Sequence, residues 1–154
     1  MTMTVYLSIG SNLGDRQALL EQAVAQIAEH IGKVTACSSF IETEPWGFVS
    51  EHRFLNCVVC VDTTLRPNAL LRRTKRIERR MGRCHKTGRH GYSDRPIDID
   101  ILLYGDQIIN THHLTVPHPL MLQRDFVLKP LLEIAPDITL PPTGQHIAEI
   151  VSTR

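Results

Sequence analysis

The sequence predicts an α+β sandwich of the ferredoxin-like type, a mainly antiparallel sheet with helices packed on it. Three observations lead there. Stretches that alternate apolar and polar residues with a period of two exchange with stretches of helical period in the order β-α-β, β-α-β. A hairpin and a helical tail follow. A chain of 154 residues, 42% hydrophobic and 21% charged, suits one core rather than two. Residues 1–154 read as a single domain, with no internal repeat, low-complexity tract or linker.

Met3, Val5, Leu7 and Ile9 alternate with Thr4, Tyr6 and Ser8 as a first strand. Gly10-Ser-Asn-Leu-Gly-Asp turns into a helix with Leu20, Val24, Ile27 and Ile31 on one stripe, and Gly32 is expected as its C-cap. Val34 to Ile41 reads as a second strand, followed by a loop, Thr43-Glu-Pro-Trp-Gly47; Phe54 to Asp62 is a third strand. Pro67 opens a second helix, apolar at Leu70, Leu71, Ile77 and Met81, and Gly82 ends it. A polar loop from Arg83 to Asp94 leads into the strand containing Asp98 and Asp100. Gly105-Asp106 is expected to fold that strand back on Gln107-Ile-Ile-Asn as a hairpin. Pro117-His-Pro119 breaks the chain, a helix covers Phe126 to Ile134, and a last helical turn or two follows His146.

No apolar stretch approaches the roughly 18–20 residues that span a bilayer, and Met1-Thr-Met-Thr-Val-Tyr-Leu has no basic segment of a signal peptide. A cytoplasmic protein without membrane contact is the expectation. Cys57 and Cys60 form a C-x-x-C, but on a strand they face opposite sides, so buried reduced thiols are expected rather than a redox or zinc motif. The eight histidines lack metal-binding spacing. The net charge of +1 hides an asymmetry: from Arg72 to Arg95 lie ten Lys and Arg against Glu78 and Asp94, about +8, leaving about −7 elsewhere. Such a field suits an anion, be it a phosphorylated small molecule, a nucleic acid or the protein's own acidic face. A solvated helix face explains part of it equally well.

The chemistry-bearing residues begin with Asp98 and Asp100, set in Ile97-Asp-Ile-Asp-Ile-Leu-Leu. A period of two sends both carboxylates from one strand face, with origins roughly 6–7 Å apart. Aspartate is depleted in strands and like charges on one face repel. Something positive belongs opposite them, either a metal ion or a row of arginines, and Arg83, Lys86, Arg89 and Arg95 flank the same strand. Gly88 and Gly91 mark the intervening loop as a lid. The Gly10–Gly14 loop lacks the Gly-Lys-Ser/Thr of a P-loop and reads as a tight, capped connection. Trp46, Phe48 and Phe54 cluster near the Thr43–Gly47 loop, and Asn56 shares a strand face with Phe54. A planar heterocycle stacked on an aromatic ring and read by an amide accounts for that set; core filling accounts for Phe54 alone.

Ile9-Gly-Ser-Asn-Leu-Gly-Asp, Thr43-Glu-Pro-Trp-Gly, Phe54-Leu-Asn56, Arg95-Pro-Ile-Asp-Ile-Asp-Ile-Leu, and Leu114-Thr-Val-Pro-His-Pro with Met121 and Arg124-Asp-Phe126 resemble, in this order, the 6-hydroxymethyl-7,8-dihydropterin pyrophosphokinases. The resemblance implies transfer of pyrophosphate from ATP to the hydroxymethyl group of the dihydropterin, a step toward folate, with release of AMP. It implies two Mg2+ ions on Asp98 and Asp100. Phe54 and Phe126 would sandwich the pterin, Asn56 would bond its edge, and Thr43, Pro45 and Trp46 would complete the pocket. Glu78, Arg89, Thr115, His118 and Arg124 would contact ATP, with Arg83 and Arg95 at the phosphates or the reacting centre. The stretch Lys86 to Arg95 is longer than the family pattern and has no Trp, and Lys75 stands where a Gln is common. A monomer acting on two small molecules, without nucleic acid, is the expectation. An RNA-binding sheet lacks support, because the aromatic RNP1 pattern is missing. An Mg-dependent nucleotidyl transferase or nuclease would release pyrophosphate or nucleotides instead.

Overall fold

The computed structural model describes residues 1–43, 53–82 and 96–152. Pro45, Trp46, Phe48 and the segment from Arg83 to Arg95, with Arg89, lie outside these residues. Strand β1 (Met3–Ser11) is followed by α1 (Arg16–His30), β2 (Gly32–Cys37), β3 (Ile41–Thr43), β4 (Phe54–Thr63), α2 (Pro67–Arg80) and β5 (Asp98–Tyr104). The ribbon β6 (Ile109–Asn110) and β7 (Thr115–Val116) comes next, then a 3₁₀ turn (Met121–Gln123) and α3 (Asp125–Ile134). Strands β8 (Thr139–Leu140) and β9 (Gln145–His146) and helix α4 (Ile147–Ser152) complete the chain.

The main sheet has the order β2-β4-β1-β5, with β3 extending it beside β4, and its pairs are antiparallel. This is the expected ferredoxin-like arrangement. The alternation of side chains splits the core in two. Val5, Leu7, Ile9, Cys57, Val59, Val61, Ile99 and Ile101 meet α1 and α2 on one face. Val58, Leu102, Leu103 and Met121 meet Val127, Leu128 and Leu131 of α3 and Ile147 of α4 on the other.

Three local expectations change. Helix α1 ends at Ile31 in a right-handed conformation, and Gly32 opens β2 instead of capping the helix. A Cβ there would lie 2.1 Å from the Asp62 carbonyl oxygen, so the glycine allows the backbones of β2 and β4 to meet. The predicted strand from Val34 to Ile41 breaks after Cys37, because the Ser38 hydroxyl accepts the Val58 N–H at 2.9 Å in place of a ladder carbonyl. The Ser39 N–H and hydroxyl then both donate to Glu133 of α3. The third change is the hairpin. Gly105 does turn the chain, at φ +54°, but β6 pairs with β7 rather than returning along β5. The outer edge of β5 is already taken: Glu78 accepts the Ile99 N–H and the His118 N–H donates to the Leu102 carbonyl. Gly82, at φ +93°, ends α2 as expected.

Candidate active site

The site grows from one feature of register. Gly10 of β1 stands between Asn56 of β4 and Asp98 of β5, and Ser8 stands between Val58 and Asp100. Residues directly opposite in antiparallel strands point to the same face, and neighbouring strands lie about 4.8 Å apart. Asn56 and Asp98 therefore rise from one face in one row, roughly 10 Å apart, with a glycine leaving the space between them open. A Cβ on Gly10 would come within 2.7 Å of Asn56 Oδ1 and 3.5 Å of the Phe54 ring. Gly10 has no positive φ; its role is room.

Asn56 is 3% exposed, so its amide needs partners. Its Nδ2 donates to Thr43 Oγ1 at 2.8 Å, across the β3–β4 pair. Phe54, two residues away and half-buried, opens onto the same face. At the other end of the row, Arg124 is 6% exposed and reaches Asp100, Nη1 to Oδ2 3.6 Å. The same guanidinium lies 5.5 Å from the centroid of the Phe126 ring. Arg124 ties the acidic pair to the aromatic side chain of α3.

The electrostatics of the pair show charge without full compensation. Burial raises the Asp100 carboxyl to about 7; Asp98 and Glu78 add to the rise, and Arg124 and Lys75 oppose it. His118 is pushed the other way, to about 4, by burial and by Arg124, against the pull of Asp98. It is a neutral imidazole at pH 7. Its Nδ1 accepts the Leu120 N–H at 3.1 Å, which leaves the ring proton on Nε2 as a donor.

Glu78 is 3% exposed at the rear of the pair. Its Oε2 accepts the N–H of Ile99, the residue between the two aspartates, at 2.7 Å, and its Oε1 lies 3.8 Å from Lys75 Nζ. The described part of the cationic segment continues along α2. There Leu71, Arg72, Lys75, Arg76 and Arg79, with His113 facing them, border a cavity of about 540 Å³.

Residues 6–136 match the family model for 7,8-dihydro-6-hydroxymethylpterin-pyrophosphokinase. The chain belongs to this family. It is similar to the 2-amino-4-hydroxy-6-hydroxymethyldihydropteridine pyrophosphokinase of Porphyromonas gingivalis, 50% identical over 133 residues that cover 86% of this chain and 90% of that protein. The proteins of the same name from Aquifex aeolicus and Bacillus subtilis are each 42% identical over 90% of this chain, covering 84% and 81% of their own lengths. A crystal structure of Plasmodium falciparum HPPK-DHPS wild type with SDX-DHP matches with a TM-score of 0.77 at 17% identity, over 99% of this chain and 44% of that one. That likeness shows the fold, and this chain spans less than half the length of such chains.

Within this pyrophosphokinase family member, the fold gathers Asp98, Asp100, His118, Arg124 and Phe126 at one end of the row and Phe54, Asn56 and Thr43 at the other. Thr115 is exposed on β7, three residues before His118. Glu78, expected at ATP, addresses the backbone between the aspartates. Pro45, Trp46, Arg83, Arg89 and Arg95 lie outside the described residues. Sequence reading missed Gly10 as a pocket residue. The signal was a glycine within a period-two strand pattern, which marks a close approach as readily as a turn. Cys57 and Cys60 do face opposite sides: Cys57 packs under the helices, while Cys60 hydrogen-bonds with Tyr6. Among the described residues, no helix is long and apolar enough to cross a membrane.

Proposed function

We propose that this chain transfers pyrophosphate from ATP to 6-hydroxymethyl-7,8-dihydropterin, giving AMP and the pterin diphosphate in folate biosynthesis. Family membership carries the reaction, and the row Asn56–Gly10–Asp98 carries its geometry. The roughly 10 Å between a heterocycle-reading amide and the acidic pair suits a bicyclic ring whose hydroxymethyl arm points at the phosphates.

In this reading Phe54 and Phe126 hold the ring between them. Asn56, oriented by Thr43, bonds its edge, with Pro45 and Trp46 closing the pocket. The hydroxyl oxygen of the arm forms a bond to the β-phosphorus while the bond from that phosphorus to the α,β-bridging oxygen breaks, and AMP leaves. Catalysis here is positioning plus neutralisation of charge. Arg124, held between Asp100 and Phe126, sits where ring and phosphates meet. His118 donates from Nε2, Thr115 and Arg89 contact the nucleotide, and Arg83 and Arg95 serve the reacting centre. The cationic flank of α2 raises the local concentration of the ATP anion.

Two half-buried carboxylates that hold Asp100 near 7 fit a divalent cation, which takes hard oxygen ligands and relieves this repulsion. Asp98 and Asp100 would hold two Mg2+ ions. Bound there, the ions supply Lewis-acid neutralisation of the triphosphate. Glu78 contributes by fixing the strand between these residues. A single domain acting as a cytoplasmic monomer, without nucleic acid, completes the proposal.

Asp98→Ala and Asp100→Ala should each abolish pterin-dependent AMP formation while circular dichroism stays that of the wild type. Near-wild-type turnover in either variant overturns the assignment. Release of pyrophosphate from ATP would point to nucleotidyl transfer instead.

A further inference from the structure

Two cysteines that the transfer chemistry leaves unused stand together on neighbouring strands. Cys37 ends β2 opposite Val59 of β4. Cys57, two residues from Val59, therefore projects from the same face as its diagonal neighbour. Each thiol shifts the titration of the other through their side-chain interaction, and Cys37 Sγ also reaches the Ser38 carbonyl oxygen at 3.5 Å. Their surroundings differ: Cys37 is exposed to solvent, and Cys57 is fully buried under the helices.

The interaction with Cys57 lowers Cys37 to about 7, against its partial burial and the nearby Glu133 carboxylate, both of which raise it. The same interaction, with burial, pushes Cys57 upward. At neutral pH one sulfur of the pair thus meets solvent partly as thiolate, and the other stands behind it with its proton. A thiolate is the reactive form of cysteine. Cys60, on the opposite face, is outside this pair.

We propose that Cys37 and Cys57 form a reversible dithiol–disulfide site that a hydroperoxide enters through Cys37 and that Cys57 closes. The Cys37 thiolate attacks a peroxide oxygen. The O–O bond breaks, a sulfenic acid forms on Cys37, and the departing oxide takes a proton to leave as water or an alcohol. The Cys57 sulfur then attacks the Cys37 sulfur. The S–S bond forms, the S–O bond breaks, and the hydroxyl leaves as water with the Cys57 proton. Two electrons pass from the thiol pair to the peroxide. The sulfurs must close to about 2.05 Å, and the movement falls at Cys37, the last residue of β2. The bridge ties β2 to β4 one residue from Asn56.

Peptide mapping of the full chain tests this without reference to turnover. The protein is treated with hydrogen peroxide, alkylated, digested without reduction and analysed by mass spectrometry. The expected product is a Cys37–Cys57 peptide pair within one chain, about 2 Da lighter than its reduced parts, that dithiothreitol separates. It should form equally in Cys84→Ser and be lost in Cys37→Ser. Sulfinic acid on Cys37 with Cys57 still reduced, or a bridge that instead involves Cys60, Cys84 or a second chain, overturns the proposal.

Discussion

Replacing Gly10 with alanine tests whether open space at the centre of the row matters. The new Cβ would stand 2.7 Å from Asn56 Oδ1, where ordinary contact begins at 3.4 Å. The amide must retreat by the difference, about 0.7 Å. Its bond to Thr43 Oγ1 is already 2.8 Å long, and Thr43 lies on the side of β4 opposite Gly10, so a retreat of that size drives the amide against Thr43 and the bond cannot keep its present geometry. Asn56 is 3% exposed, so water cannot easily replace the lost partner. A buried amide left unsatisfied costs roughly 1–3 kcal/mol. The gain from reduced backbone freedom in the unfolded chain, about 0.4–1 kcal/mol, does not offset the upper part of that range. Gly10→Ala should therefore melt lower and raise the KM for the dihydropterin roughly tenfold or more, at about 1.4 kcal/mol per decade. The KM for ATP should stay within about twofold, because the clash faces Asn56 and Phe54 rather than the nucleotide side. Steady-state kinetics in both substrates, with a thermal melt, provide the comparison. A variant with unchanged pterin KM and melting temperature would refute the claim that Gly10 sets the position of Asn56.

Glu78 separates two roles by substitution. Glu78→Gln keeps an acceptor for the Ile99 N–H and should retain stability and the Mg2+ concentration for half-activation within a few-fold; Glu78→Leu should lose roughly 1–3 kcal/mol in urea unfolding and need more Mg2+. A raised ATP KM in the Gln variant with unchanged stability would instead mark direct nucleotide contact. Gly32→Ala meets the Asp62 backbone oxygen rather than a movable side chain, and should unfold at much lower urea; wild-type stability would deny the close β2–β4 approach. Asp100, raised from 3.8 to about 7, holds its proton more tightly folded than unfolded, so it lowers the stability of the metal-free protein as pH rises from about 4 to 7. His118, lowered from 6.5 to about 4, has the opposite effect between about 4 and 6.5. Melts at pH 4.5, 5.5 and 6.5 in chelator should show stability rising more steeply with pH in Asp100→Asn than in the wild type; equal slopes would contradict the shift at Asp100.

The parts of the site visible in the sequence were those that violate local rules. Aspartate twice on one strand face, and an asparagine in mid-strand, cost stability unless something binds them. Both could be placed from the period of two alone. The ferredoxin-like order was visible for the same reason, since it follows from alternating periodicities. What stayed hidden depends on partners far along the chain. Gly10 looks like a turn residue until the β1–β4 register brings Asn56 beside it. Glu78 was named only through the family resemblance, and the backbone N–H it accepts, that of Ile99, lies 21 residues away. The hairpin after Gly105 was predicted from a turn signal that is real; its failure lies in the β5 edge, which Glu78 and the His118 backbone already occupy. Gly32 likewise obeys tertiary proximity, not helix-capping chemistry.

The central claim is that the acidic pair and the pterin pocket share one sheet face so that the β,γ-pyrophosphate moves as a unit. ATP labelled at the β-phosphorus, incubated with the protein, Mg2+ and 6-hydroxymethyl-7,8-dihydropterin, tests it directly. The label should pass to the pterin as AMP appears, one for one, with neither formed when the pterin is omitted. Label retained in ADP, or AMP formed at the same rate without pterin, would contradict the account.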